Sequence, residues 1–143
     1  MLCPECKTEM VFGAHVIVTS VGGHAVECRS LSHERCPSCG YYELSAEAGE
    51  LLEIQATTIV MTDVPSPNAK AVRFARKAMG LSQSALASEL GLTQETISRY
   101  ETGALAIVPE YRLALAGLLG REERRLRGCD GTCSRLAATG TDG

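Results

Sequence analysis

The sequence contains no apolar run approaching the roughly 18–20 residues that cross a bilayer, so no membrane-spanning helix is expected. Its first residues, Met1-Leu2-Cys3-Pro4, lack the basic region and apolar core of a secretory signal, and the expected location is the cytoplasm. In that reducing compartment seven cysteines, an odd number, point to metal binding before disulfides. No internal repeat is present. No histidine is followed two positions later by glutamate, and neither Cys-x-x-Cys pair is preceded by proline, so a zinc nucleotide deaminase is excluded. A thioredoxin-type redox pair is not expected either, because its Cys-x-x-Cys needs the end of a strand in a βαβ context, which residue 3 does not supply.

What is present is the composition of a soluble globular protein, 45% apolar and 22% charged, in 143 residues: one ordinary domain or two small ones. The net charge of −3 is unevenly distributed. Residues 1–57 hold three Lys/Arg against eight Asp/Glu, whereas residues 58–143 hold eleven against nine. Two halves of opposite sign suggest different partners for each.

Cys3-Pro4-Glu5-Cys6 and Cys36-Pro37-Ser38-Cys39-Gly40 are two Cys-x-x-Cys knuckles. That spacing lets two thiolates grip one ion while the turn aims backbone N–H groups at the sulfurs. Cys3, Cys6, Cys36 and Cys39 are thus expected to close a tetrahedral site around one structural Zn²⁺ per chain, with Zn–S distances of about 2.3 Å. Four protein ligands leave no open position for a water, so no catalysis is expected at the metal, and the protein is not expected to be an enzyme. His15, His24 and His33 read as surface or strand residues and Cys28 as a buried strand thiol. Cys129 and Cys133, with three residues between them in a Gly-rich stretch, do not form a knuckle. Between the knuckles, His15 to Thr19 and Ala25 to Cys28 read as extended segments joined by a turn at Val21-Gly22-Gly23-His24, a small antiparallel meander with little core of its own.

Glu47 to Gln55 reads as a helix, and Thr62-Asp63-Val64-Pro65-Ser66-Pro67-Asn68 as a turn-rich linker. From Ala69 the pattern is helical almost to Arg127. Gly80 suits a left-handed helix end, Ser82 caps a second helix carrying Leu86, Ala87 and Leu90 inward, and Gly91 makes a turn. Thr93 then caps a third helix, Gln94 to about Thr102, with Ile97 and Tyr100 inward and Gly103 at its end. These are the requirements of a helix-turn-helix. The third helix leaves Gln94, Glu95, Thr96, Ser98 and Arg99 on its polar side, where its first residues reach base edges in the major groove. Gln pairs with adenine, Arg with guanine, and Glu accepts from the cytosine amino group.

Arg76, Gly80-Leu81-Ser82-Gln83, Leu86-Ala87, Leu90-Gly91, Ile97-Ser98-Arg99-Tyr100-Glu101 and Gly103 together resemble the lambda-repressor-like, Xre-type DNA-binding family over residues 69–119. The resemblance implies that Gln83 contacts phosphate, that Arg76 pairs with Glu101, and that Gln94, Glu95 and Arg99 read bases. With the cysteine knuckles upstream, the whole resembles the MqsA-type antitoxins, whose zinc half is the YgiT type. That resemblance implies an antitoxin that binds a small ribonuclease toxin through its zinc module and represses its own promoter as a homodimer on a palindromic operator. Glu95 stands where that family has a base-reading asparagine, so the operator differs. Cys28, Cys129 and Cys133 have no counterpart there. The alternative is a stand-alone Xre-type regulator whose zinc module is structural or sensing.

The expected fold is α+β: a zinc-stapled antiparallel β module (1–57), a linker (58–68), a five-helix DNA-binding and dimerisation domain (69–127), and a flexible tail (128–143). Leu113, Leu115, Leu118 and Leu119 are candidates for core and dimer contact, with the two recognition helices of the dimer about 34 Å apart.

Overall fold

A computed structural model describes residues 1–29 and 31–127. The expected tail, with Cys129 and Cys133, lies outside the described residues. The fold is α+β, with five short strands preceding five helices: β1 (Val11–Ala14), β2 (Ile17–Val21), β3 (His24–Cys28), β4 (Ser32–Arg35), β5 (Tyr42–Glu43), α1 (Ala46–Asp63), α2 (Ala69–Ala78), α3 (Gln83–Leu90), α4 (Gln94–Thr102) and α5 (Pro109–Leu126).

The strands do not form one meander. β1, β4 and β5 make an antiparallel sheet in that order, with Val11 opposite Arg35 and Arg35 opposite Tyr42. β2 and β3 form a separate hairpin, with Ile17 opposite Cys28 and Val21 opposite His24. Gly22 and Gly23 close that hairpin at φ 57° and 87°, the paired positive angles that match the twist of the strands it joins.

The two sheets belong to different cores. Met10, Cys3 and Cys36, with Tyr41 against them, make a small cluster beside the knuckles. Ile17, Val21, Val26 and Cys28 of the hairpin instead join one continuous core with Ile54, Val60 and Met61 of α1, Val72 and Ala75 of α2, and Leu115 and Leu119 of α5. The hairpin tip is seated on α2 itself. Asn68 caps that helix by accepting from the Ala71 N–H (2.8 Å), while its amide nitrogen donates to the Gly22 carbonyl (2.7 Å). A Cβ at residue 22 would lie 2.7 Å from the Asn68 Oδ1 and 2.8 Å from the Ala71 nitrogen, so only glycine permits the approach.

Helix α1 corrects the expected domain boundary. It runs eight residues beyond Gln55, through most of the expected linker, so that only residues 64–68 lie between α1 and α2. The stretch Ala56-Thr57-Thr58-Ile59-Val60-Met61-Thr62 is β-branched and intrinsically poor for helix. It folds so because Ala56, Thr57, Ile59, Val60 and Met61 are all buried, over more than half of the helix circumference, between the hairpin, α2 and α5. Thr57, Thr58 and Thr62 return their hydroxyls to the carbonyls of Glu53, Ile54 and Thr58, which leaves no unpaired hydroxyl along this run. From α5, Arg112 donates to the Met61 carbonyl (2.8 Å) and the Pro65 carbonyl (2.7 Å), satisfying the last turn of α1. Residues 69–127 therefore supply four helices, and the fifth of the helical domain is α1.

Candidate metal centre and DNA-reading surface

The Sγ atoms of Cys3, Cys6, Cys36 and Cys39 all lie within 4.8 Å of one another, with Cys3 to Cys39 at 3.6 Å and Cys6 to Cys36 at 3.4 Å. Four sulfurs set tetrahedrally 2.3 Å from one ion would be about 3.8 Å apart. The cluster is close enough to hold a single metal ion.

Both knuckles are built alike. The N–H of Lys7 returns to the Cys3 carbonyl (2.9 Å) as that of Gly40 does to Cys36 (3.0 Å), and the N–H groups of Cys3 and Cys36 bond the carbonyls of Thr8 (2.8 Å) and Tyr41 (2.7 Å). Backbone N–H groups of Glu5 and Cys39 point at the sulfurs of Cys3 and Cys36, each at 3.4 Å. Closing each turn requires a left-handed residue after the second cysteine. Gly40 takes it at φ 82°, and Lys7 takes it at φ 66° without the freedom of glycine.

The thiols are pulled in opposite directions. Hydrogen bonds with the Thr8 side chain and backbone, then with Cys36, bring Cys6 down to about 6. At Cys39 a backbone hydrogen bond of Tyr41 lowers the affinity for the proton, but desolvation and the three neighbouring thiols outweigh it and push it up to about 12. Four adjacent sulfurs cannot all ionise without compensation, and a bound cation supplies it.

Of the other nucleophiles, Cys28 is fully buried in β3, where burial pushes its thiol up to about 11. His33 is not a surface residue. It is buried in β4 with its Nδ1 on the Leu31 carbonyl (2.9 Å), between the rings of His15 and Tyr42.

The second site is the face of α4. Ser82 caps α3 through the Ala85 N–H (3.0 Å) and Thr93 caps α4 through the Thr96 N–H (3.2 Å). Gly91 and Gly103 end the two helices in left-handed conformations. Ile97 and Tyr100 are buried, and the Tyr100 ring stacks on Tyr111 of α5 with centroids 4.1 Å apart. That packing turns Gln94, Glu95 and Arg99 outward as exposed residues, with Thr96 and Ser98 half-buried at the flanks.

Behind this face, Arg76 forks onto Glu101, Nε to Oε2 at 2.7 Å and Nη2 to Oε1 at 2.9 Å, and its Nη1 donates to the Leu81 carbonyl (2.8 Å). The pair joins α2 to the end of α4 in a place that is almost dry. Gln83 is held differently from a free phosphate ligand. Its amide nitrogen donates to Glu101 Oε1 (3.1 Å), which ties the start of α3 into the same network. Of the four α5 leucines expected at the core or dimer contact, Leu115 and Leu119 are fully buried, Leu118 is half-buried, and Leu113 is 60% exposed.

The sequence reading gave no role to Lys7, Thr8, Asn68 or Arg112. For Lys7 and Thr8 a signal was available: aligning the knuckles sets Lys7 against Gly40 and Thr8 against Tyr41. Asn68 and Arg112 act across long sequence separations and carry no local signature.

Residues 72–126 match the helix-turn-helix family HTH_3. The matched segment is thus similar to a helix-turn-helix, with α3 and α4 as its two central helices. Among curated proteins, no relative matches the chain. No helix among the described residues is long and apolar enough to cross a membrane.

Proposed function

We propose that this protein is a sequence-specific transcriptional repressor and the antitoxin of a toxin–antitoxin pair, acting as a homodimer on a palindromic operator. The observation that carries the DNA-reading half is the outward face of α4, where Gln94, Glu95, Thr96, Ser98 and Arg99 stand on a helix fixed by caps at its start and by the Arg76–Glu101 pair behind it. Zinc is the proposed ion, since four thiolates close enough to share one ion match the ligand set of structural zinc sites. Cys3, Cys6, Cys36 and Cys39 would hold it, and its contribution is folding energy, with no enzymatic step.

The cysteine module is the proposed binding site for a small, basic ribonuclease toxin. Supporting this, β1 is an edge strand carrying Val11 and Phe12 at 50% and 66% exposure, and Val18 on β2 is 63% exposed. Exposed apolar side chains on an acidic half fit a protein partner. In the homodimer, Leu113 and Val108 are the exposed apolar residues of the α5 side available for the contact.

The experiment is selection of a binding sequence from a random duplex pool, followed by titration of Arg99→Ala against the selected duplex. The expected loss is at least about tenfold in specific affinity, as removal of one bidentate base contact predicts. Native mass spectrometry should still find one metal ion per chain. Unchanged affinity would remove α4 from the recognition role.

A further inference from the structure

We infer that Glu95 is a positioning residue for Arg99 and thereby sets the base selectivity of α4. The inference rests on the DNA-reading assignment of that helix. Arg99 Nη2 donates to Glu95 Oε1 at 2.5 Å across one helical turn. The two side chains are 59% and 71% exposed, so the pair stands in solvent on the outer face, while Ile97, Tyr100 and Glu101 face inward. An exposed ion pair adds little stability. Its effect lies in what it does to the guanidinium.

A free arginine on a helix surface samples many rotamers and neutralises whatever phosphate comes near. Held by Glu95, the Arg99 fork commits one N–H to the carboxylate and keeps its other donors for a partner with two acceptors in one plane, as guanine O6 and N7 are. The carboxylate has a second effect. Glu95 lies in the first turn of α4, where the helix dipole favours a negative charge. A fixed negative charge is repelled by phosphates on every DNA sequence alike. Glu95 therefore weakens binding to every duplex, and the oriented Arg99 offsets that loss only where its fork meets a guanine. The carboxylate discriminates without having to touch a base.

The test uses the full chain with its metal bound, as wild type, Glu95→Gln and Arg99→Ala. A pool selection with wild type and Arg99→Ala identifies the base pair whose preference depends on Arg99. Each protein is then titrated against the selected duplex, its single-base variants at that pair, and an unrelated duplex at two salt concentrations. Glu95→Gln should bind the unrelated duplex several-fold more tightly and lose about tenfold of the discrimination at the Arg99-dependent pair, the scale of one base contact. A purely structural role for Glu95 would move the melting temperature and not the base preference. Discrimination within twofold of wild type overturns the inference and leaves the DNA-reading assignment standing. A wild-type protein that enriches no sequence overturns both.

Discussion

At the scale of single residues, buried charge concentrates at one point. Arg76 and Glu101 have side chains only 10% and 2% exposed, and they are satisfied by each other, by Gln83 and by the Leu81 carbonyl. Removing one partner strands the other in a dry site. Glu101→Ala is expected to lower stability by about 3–5 kcal/mol, measured by urea denaturation. Combined replacement of both charges by apolar residues of similar volume should recover much of that loss. Lys7 poses the opposite case, a residue under strain that a smaller one relieves. Lys7→Gly should raise stability by up to about 1 kcal/mol, read as a higher melting temperature of the metal-bound protein. The four cysteines and the inward and outward residues of α4 were legible because each rests on a local spacing. The partner of Gln83 was not, since it depends on where a residue 18 positions away comes to lie.

Among elements, the strands divide by what holds them. Among the described residues, β1, β4 and β5 have only Cys3, Met10, Cys36 and Tyr41 as a hydrophobic cluster, so a metal held by the four clustered cysteines would be their main support. The β2–β3 hairpin packs on α1 and α2, in a core that none of those four cysteines joins. Chelating the metal, or changing Cys36 to Ser, should therefore abolish amide-exchange protection in β1, β4 and β5. Protection in β2, β3 and all five helices should persist. Uniform loss across both sheets would show that the hairpin is not independently anchored. This division was hidden in the sequence, where the strands follow one another at even intervals and alternate alike. α1 was half legible. Its first half has ordinary helix formers, whereas its second half is rich in Thr, Ile and Val, and burial of a broad face makes it helical.

Over the described residues, the β2–β3 hairpin and the five helices share one core, and the β1–β4–β5 sheet has a small cluster of its own beside the knuckles. Deleting residues 1–57, the cut suggested by composition and charge, would remove the hairpin and more than half of α1. Leu115 and Leu119 of α5 and Val72 of α2 would lose their cover. That truncated protein is expected to melt far below the intact chain or to aggregate, and to bind DNA poorly for that reason alone. Circular dichroism of the fragment checks this: a sharp melt near that of the full protein would show that α2–α5 fold without α1. The linker was expected because two prolines and a change in charge balance occur there, and both are real. Neither reports which helices share a core.

The contact of Gly22 with Asn68 has a consequence for any attempt to recombine the two ends of the molecule. Modules exchanged between proteins are usually divided at the flexible stretch between them, which here would be residues 64–68. A chimera cut there would separate the hairpin from the helix it rests on and leave an asparagine capping nothing but its own turn. The seam that respects the packing runs instead through three connections, before Ile17, after Cys28 and before Ala46. A donor cysteine sheet grafted at those three points would arrive on a foundation that the recipient already owns.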